Sequence, residues 1–300
     1  MKDILFKNVL IEDKESIEFY LSKYPSFCLS IFTFSSLVTW GMFYHYQWAV
    51  SGDTLLLKFI DPEDQRDHLI QPIGEFPSCL QDKIIEYARS LDYKLKIYGV
   101  SEAFINERPK FVSLFEQAEH RDLDNYIYLA EDLVSLSGRK YQPKRNLLSQ
   151  FEKNNVWTSE PISIENVPAC FEIINKIYDK KESDENSFLS KELETLDFVL
   201  NNFLKLKEEG ILIRIDGKPA AFSIYEQLNS SMCVVHHEKA MREYKGLYQL
   251  VNRETAKKIL QNGYKYINRE EDLGIEGLRK AKLSYYPTKL CPANILVFKK

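Results

Sequence analysis

Cysteine is scarce and scattered. The five residues, Cys28, Cys79, Cys170, Cys233 and Cys291, are odd in number and form no CxxC pair. That pattern argues against a disulfide framework and against a zinc cluster, and a reducing, cytoplasmic setting is the simplest expectation. The first residues, MKDILFKNVLIEDKES, lack the apolar region of a signal peptide. No serine sits in a GxSxG elbow, and no cysteine has an evident base beside it. Net charge is small, −4, which excludes a global pull toward DNA or an anionic membrane, so any anion must be drawn by a local patch. A long apolar run is missing too. Tyr24 to Gly52 carries no formal charge over 29 residues and holds Trp40 and Trp48. Nine of those 29 are Ser, Thr, His or Gln, and Pro25, Gly41 and Gly52 interrupt them. A span needs about 20 mainly apolar residues in a row, so the stretch reads as a buried helix, a turn and a strand, with no transmembrane segment.

What is present suits a globular chain of 300 residues with 44% hydrophobic content, enough for one large domain or two ordinary ones. The first half mixes α and β. Asp13 opens a helix through Ile17, Tyr20, Leu21 and Tyr24. Strands are predicted around 43–50 and 54–60, in Lys94–Val100 and in Tyr126–Leu129, and a helix follows Pro77–Ser78. The best boundary is the polar LSGRK near Ser137, giving domains 1–136 and 137–300. In the second half, helices are predicted after Pro143 and after Asn166, and a third through Leu193, Leu196, Leu200, Phe203 and Leu204, stopped by Gly210. A three-strand meander with a turn at Asp216-Gly217 follows. Then come a helix from about Leu247 to Asn262, the strand YKYIN, a charged helix and the strand ANILVF. Meander strands pair antiparallel and helical crossovers favour parallel neighbours. The predicted class is therefore α+β, with mixed sheets flanked by helices.

Two helix starts carry cations, which the helix dipole disfavours by about 0.3–1 kcal/mol each. RKYQPKRN places Arg139, Lys140, Lys144 and Arg145 around Pro143, and reads either as a solvated surface or as a site for an anion such as tRNA. REYKGLY places Arg242 and Lys245 just before Gly246. Here a bound anion is the better explanation, because backbone N–H groups at Gly246, Leu247 and Tyr248 would act with the cations and glycine permits close approach. On the following helix, Glu254 shares a face with Leu247, Leu250 and Val251. A carboxylate there must be paired or protonated, with Arg269 or Arg279 as candidate partners. It reads as a structural ion pair or as a base. Arg269 and Glu270 end the strand YKYIN, and ligands in open α/β sheets gather at such ends. His236 and His237 are adjacent on a strand and point to opposite faces, His236 sharing its face with Glu238. With no third ligand at sensible spacing, no metal is expected. In NREEDLGIEGLRKAKLSYYP, residues 268–287, Glu271, Asp272 and Glu276 fall at a predicted helix start and Arg279, Lys280 and Lys282 toward its end, the polarity a helix dipole prefers. Gly274 and Gly277 weaken that first turn by about 1 kcal/mol each relative to alanine.

The stretches DNYIYLAEDLVSLSGRKYQPKRNLLSQF (124–151), EYKGLYQLVNRE (243–254) and YINREEDLGIEGLRKAKLSYYP (266–287), together with SIFTFSSLVTW (30–40) and PIGE (72–75), resemble the C-terminal domain of bacterial phosphatidylglycerol lysyltransferases and the stand-alone proteins that share it. The resemblance covers most of the chain. It implies two tandem GNAT-like (acyl-CoA N-acyltransferase) domains and an acyl- or aminoacyl-transferase ancestry, with acyl-CoA or aminoacyl-tRNA as donor. In the lysyltransferases an aminoacyl group passes from charged tRNA to a lipid head group, and the domain is fused to a membrane-spanning region that this chain does not show. The positions that match are Arg145, Gly246, Tyr248, Glu254, Arg269, Glu270, Asp272, Arg279 and Lys282. The GNAT pyrophosphate loop has Gln or Arg three residues before its glycine and a small residue two after it. Here Glu243 and Tyr248 take those places, and Arg242 is one step out of register. The resulting assignment has Glu270, Asp272 or Glu254 orienting or deprotonating an amine or hydroxyl acceptor, and Tyr285 as leaving-group acid. Arg242, Lys245, Gly246, Leu247 and Tyr248 lie at the donor, and Arg145, Arg269, Arg279 and Lys282 hold an anionic part of a substrate. The rival is a non-catalytic member of the fold that binds a small anion or tRNA.

Overall fold

A computed structural model describes residues 1, 3–24, 28–178 and 188–300. In chain order its strands are β1 (Lys7–Asn8), β2 (Gln47–Ser51), β3 (Thr54–Ile60), β4 (Asp67–Ile70), β5 (Ile73–Gly74), β6 (Lys96–Val100), β7 (Phe115–Glu119), β8 (Asn125–Leu129), β9 (Trp157–Pro161), β10 (Glu209–Ile215), β11 (Lys218–Asn229), β12 (Met232–Ala240), β13 (Tyr266–Asn268), β14 (Lys289–Cys291) and β15 (Asn294–Phe298). The helices are α1 (Lys14–Lys23), α2 (Phe34–Tyr44), α3 (Ser78–Ser90), α4 (Glu102–Glu107), α5 (Pro109–Val112), α6 (Ala130–Ser135), α7 (Gln142–Asn154), α8 (Val167–Ile177), α9 (Phe188–Asn201), α10 (Phe203–Leu206), α11 (Leu247–Gln261) and α12 (Glu276–Leu283). They form two compact units. The first is Met1–Asn125 with Glu271–Ile275 and Leu290–Lys300, and the second is Tyr126–Glu270 with Glu276–Lys289.

The first unit's sheet runs β1-β2-β3-β4-β6-β15-β7, with β5 beside β3. The uncharged stretch is explained by burial: Phe34 to Thr39 of α2 are all buried, as are Trp48 and Ala49 on β2. Thr33 caps α2 by accepting the Ser36 N–H. No helix among the described residues is long and apolar enough to cross a membrane. The core holds a file of phenylalanines, Phe76 on Phe111 (ring centroids 5.1 Å apart), Phe111 on Phe115 (4.9 Å) and Phe115 on Phe298 (5.3 Å). Such pairs contribute about 0.5–1.5 kcal/mol each beyond their buried area.

The second sheet runs β14-β8-β13-β12-β11-β10-β9. The predicted meander is β10-β11-β12. Its Asp216-Gly217 turn has both residues left-handed (φ 48° and 76°), as a tight two-residue hairpin turn requires. Helix α11 crosses from β12 to the parallel strand β13 and buries Leu247, Leu250, Val251, Ala256 and Ile259.

The class is as expected, α+β with mixed sheets flanked by helices, but several expectations change. The predicted strand at 126–129 lies in the second sheet and the C-terminal strand in the first, so the expected division after residue 136 falls inside the second unit, between its α6 and α7. Phe298 shows why the last strand belongs there: its ring fills the first unit's phenylalanine core. Gly210 stops no helix. It lies in β10, where a Cβ would meet Ser223 O and Ile162 at 2.6 Å. Cysteine pairing was not expected, yet Cys28 and Cys291, 263 residues apart, form a disulfide with Cα atoms 6.2 Å apart. Finally, α12 begins only at Glu276. Glu270, Leu273 and Gly274 are left-handed (φ 56°, 53° and 74°), so residues 269–275 form a loop.

Candidate functional site

The parallel ladder of β12 with β13 covers Met232–Val234 against Tyr266–Asn268 and ends there. β12 runs on to Ala240. At this divergence four features of the second unit converge.

First, β12 carries a bulge. Tyr225 pairs with Val235 and Ile224 with His237, leaving His236 as the extra residue. A bulge re-aims a side chain. His236 Nε2 lies 2.9 Å from Glu226 Oε1 on β11, and its Nδ1 lies 2.7 Å from Glu270 Oε1 just past β13. Burial works to lower the imidazole's pKa, but the hydrogen bonds and charges of Glu226 and Glu270 outweigh it and hold it well above the ordinary histidine value. His236 is thus a cation that anchors Glu270, and a poor base. His237, buried beside it and paired with Ile224, goes the opposite way: burial, and then the charges of His236 and Lys239, hold its pKa well down.

Second, Arg269 Nη2 donates to Glu238 Oε1 at 2.9 Å. Asn252 of α11 donates to the other oxygen of Glu238 at 3.4 Å. His236 and Glu238, on either side of the bulge, therefore meet the consecutive residues Glu270 and Arg269, and the bulge breaks the expected sharing of one face: Glu238 pairs with Ser223 while His236 reaches Glu226. The left-handed backbone at Glu270 permits both contacts. The Asn268 side chain stabilises that turn by accepting the Glu270 N–H at 2.6 Å.

Third, the strand end is clamped. Tyr126 exchanges backbone hydrogen bonds with it, accepting from Arg269 N (3.0 Å) and donating to Glu270 O (3.1 Å). Lys282 Nζ donates to Arg269 O at 2.5 Å. The buried Lys282 is therefore a brace for the strand end.

Fourth, the Tyr285 ring lies near two cations, with Arg269 Cζ 5.3 Å and Lys144 Nζ 4.2 Å from its centroid. Burial pushes the Tyr285 phenol up to about 12, against the opposing charge of Arg269. Burial, and then the charge of Arg269, push the Lys144 ammonium below the ordinary lysine value. Lys144 also donates to Ser284 Oγ at 2.8 Å.

The remaining predicted residues are placed as follows. Glu254 pairs with its own helix, Arg253 Nη2 at 2.9 Å and Lys257 at 3.7 Å. The expected partners Arg269 and Arg279 are thereby corrected, and the structural ion-pair reading is the one that fits. Asp272, in the first unit, is fully buried. It accepts the Gly274 N–H at 3.0 Å and lies 3.5 Å from Arg121, which makes it a residue that shapes the loop. Arg145 donates to the carbonyls of Leu136 and Gly138, so it braces the turn before α7. Its neighbour Lys144, about 100° round the helix, is the one turned to Tyr285. Arg279 is half-buried on α12. Arg242, Lys245 and Tyr248 are exposed around the start of α11. Gly246 (φ 99°) is required by the protein itself: a Cβ there would meet Leu147 O at 2.5 Å. Leu247 is core, and its N–H is taken by Tyr244 O at 3.1 Å. The residues that the sequence reading left out of the site are Glu226, His236, Glu238, Asn252 and Lys144. The nearness of His236 and Glu238 on one predicted strand and the basic cluster at Pro143 were the available signals for three of them. Glu226 and Asn252 had none, because their partners are remote in sequence.

The chain matches the family described as phosphatidylglycerol lysyltransferase, C-terminal, over residues 29–293. It is similar to a crystallised protein of unknown function from Bacteroides thetaiotaomicron, with 31% identity over 99% of this chain and 100% of that one and a TM-score of 0.90. A C-terminal domain of the DUF2156 kind from Agrobacterium fabrum aligns at 16% identity over 95% and 91% of the two chains, TM-score 0.65. L-PGS from Bacillus licheniformis aligns at 16% over 96% and 92%, TM-score 0.64. No curated protein matches in sequence. The fold is that of two tandem GNAT-like domains, and the chain belongs to the phosphatidylglycerol lysyltransferase C-terminal family.

Proposed function

We propose that the protein is an acyl- or aminoacyl-transferase that moves its group directly from donor to an amine or hydroxyl. The observation that carries this reading is Glu270. It stands where β12 and β13 part, is held through one oxygen by His236, and keeps its side chain about a quarter exposed. Among the described residues its second oxygen has no partner, so it can accept the proton of an incoming nucleophile. Arg269 beside it supplies positive charge for the developing oxyanion or an anionic donor, and Tyr285, whose phenol holds its proton to high pH, is the group to protonate a leaving alkoxide. Direct transfer is favoured because the cysteines of this unit make poor nucleophiles: burial pushes Cys170 up to about 12 and Cys233 higher still.

The α11 start favours an aminoacyl donor over coenzyme A. The glycine of the loop faces Leu147 O, and the Leu247 N–H is already used, which leaves less for a pyrophosphate. The activity for which the family is named makes lysyl-tRNA with phosphatidylglycerol the first pair to assay, followed by other aminoacyl-tRNAs and acyl-CoA esters with soluble amines. A product formed by the wild type and lost in Glu270→Gln supports the reading. Stabilisation by a donor with no product from any acceptor would instead support the binding-only alternative, in which the same cationic groups hold an anion without turnover.

A further inference from the structure

The Glu226–His236 pair has a third member that the transfer chemistry does not use. Glu208, in the short link between α10 and β10, is 6% exposed, and Glu226 is 8% exposed. One oxygen of each and one nitrogen of His236 lie within 4.8 Å of one another. These groups come from three separate segments, the 207–208 link, β11 and the bulge of β12. Behind them Glu270 accepts from His236 Nδ1 at 2.7 Å. That bond fixes the ring and leaves Nε2 toward Glu226 Oε1, 2.9 Å away, the outer-shell arrangement that orients metal-bound histidines.

We propose that Glu208, Glu226 and His236 Nε2 bind one divalent cation, with Glu270 as the carboxylate that orients the histidine. Two carboxylate oxygens and one imidazole nitrogen suit Zn²⁺ or Mn²⁺ better than Mg²⁺, which avoids nitrogen ligands. Binding replaces the proton on Nε2: the metal bonds to that nitrogen, one proton goes to solvent, and the Nδ1 proton stays on the bond to Glu270. No oxidant or reductant is involved. The cation would lock the bulge, and through it the position of Glu270. The inference stands on the ligand geometry and is independent of the transfer reaction.

The rival arrangement is an imidazolium held between two carboxylates, which differs from the proposal by that one proton. A second cluster in the chain shows how such a rival looks. Asp61, Asp64 and His68 also have ligand atoms within 4.8 Å of one another. There Lys96 Nζ sits 2.7 Å from Asp61 and 3.4 Å from Asp64, and His68 Nδ1 accepts the Lys96 backbone N–H at 2.9 Å. A lysine already supplies the cation, so that cluster has no place for a metal.

The test uses the untagged full chain, cleared with chelator and dialysed. It is titrated with Zn²⁺ and with Mn²⁺ by calorimetry, metal content is measured after gel filtration, and the Co²⁺-loaded chain is followed by visible absorption. The expected result is one equivalent per chain, a raised Tm, and loss of both in Glu226→Gln and His236→Ala, while Asp64→Asn keeps them. Absence of stoichiometric binding by the folded wild type overturns the proposal, as does equal binding by Glu226→Gln and His236→Ala. Should those variants not fold, the Co²⁺ spectrum of the wild type decides: no ligand-field bands of a nitrogen–oxygen site means no metal here.

Discussion

Each unit carries a carboxylate–histidine cluster, and the two are balanced in different ways. In the first, Asp61 is buried beneath Lys96 and Tyr98, and His68 has its tautomer fixed by a backbone N–H. Burial works to raise the Asp61 pKa, but hydrogen bonds from Lys96 and Tyr98 outweigh it and hold the carboxyl below its ordinary value. The charges are satisfied internally, and the cluster braces β4 and β6. In the second, the histidine supplies the positive charge, and one of its carboxylates, Glu270, stays partly open at the end of a strand. The same residue types therefore make a strut in one place and a candidate site in the other. The difference is one lysine and one strand end.

The comparison can be broken most strongly at Glu270. Glu270→Gln should keep the His236 contact but lose the base, so transfer should fall by about 10²–10⁴, the usual range for general-base removal, with kcat carrying the loss and Tm nearly unchanged. A fall in Tm with little loss of kcat would make Glu270 a strut like Asp61. Lys96→Met is the reciprocal change. It leaves Asp61 buried without its main partner and should destabilise the fold by about 3 kcal/mol, measured by urea unfolding, since breaking a buried pair costs about 3–5 kcal/mol and Lys96 keeps some exposure. If the strut reading is right, activity below the unfolding range stays intact. Gly246→Ala tests whether this glycine serves the fold. The positive φ and the Leu147 carbonyl at 2.5 Å predict a loss of about 1–3 kcal/mol, visible as a lower Tm whether or not a donor is present. The smallest effect is with pH. Asp61 has its pKa lowered from 3.8 on folding, so its contribution is full above that value and is lost as pH falls through the lower folded value. Asp61→Asn should therefore flatten the acid limb of a stability–pH curve below about pH 4, and an unchanged limb would remove the strut from the first unit's stability.

Much of the fold was legible because it is local. The Asp216-Gly217 hairpin, α11 and the uncharged buried α2 follow from turn chemistry and periodicity. The charged stretch after Asn268 was only half legible. Its Glu276–Lys280 pair is present at 2.6 Å, and Lys282 is scaffold, but the helix starts later than its charges suggest. Asn268 and Asp272 use their side chains on the backbone of the loop, and Glu270 and Leu273 adopt left-handed conformations that no residue-type preference announces. Arg269 and Glu270 were visible as a strand end. Their partners were not, because a bulge of one residue on β12 and a carboxylate ten residues away on the neighbouring strand are set by register.

The sequence by itself determined the β10-β11-β12 meander, the helix and strand after it, the α+β class and the family, because hydrophobic period, turn residues and short motifs act within a few residues of one another. Only the tertiary structure decided which unit holds the last strand, that Cys28 meets Cys291, and that Lys144 faces Tyr285 in place of Arg145. It also decided which glutamate stays open. Those outcomes depend on packing and on the cost of burying charge between segments far apart in the chain, and each buried carboxylate takes whatever partner the fold brings to it.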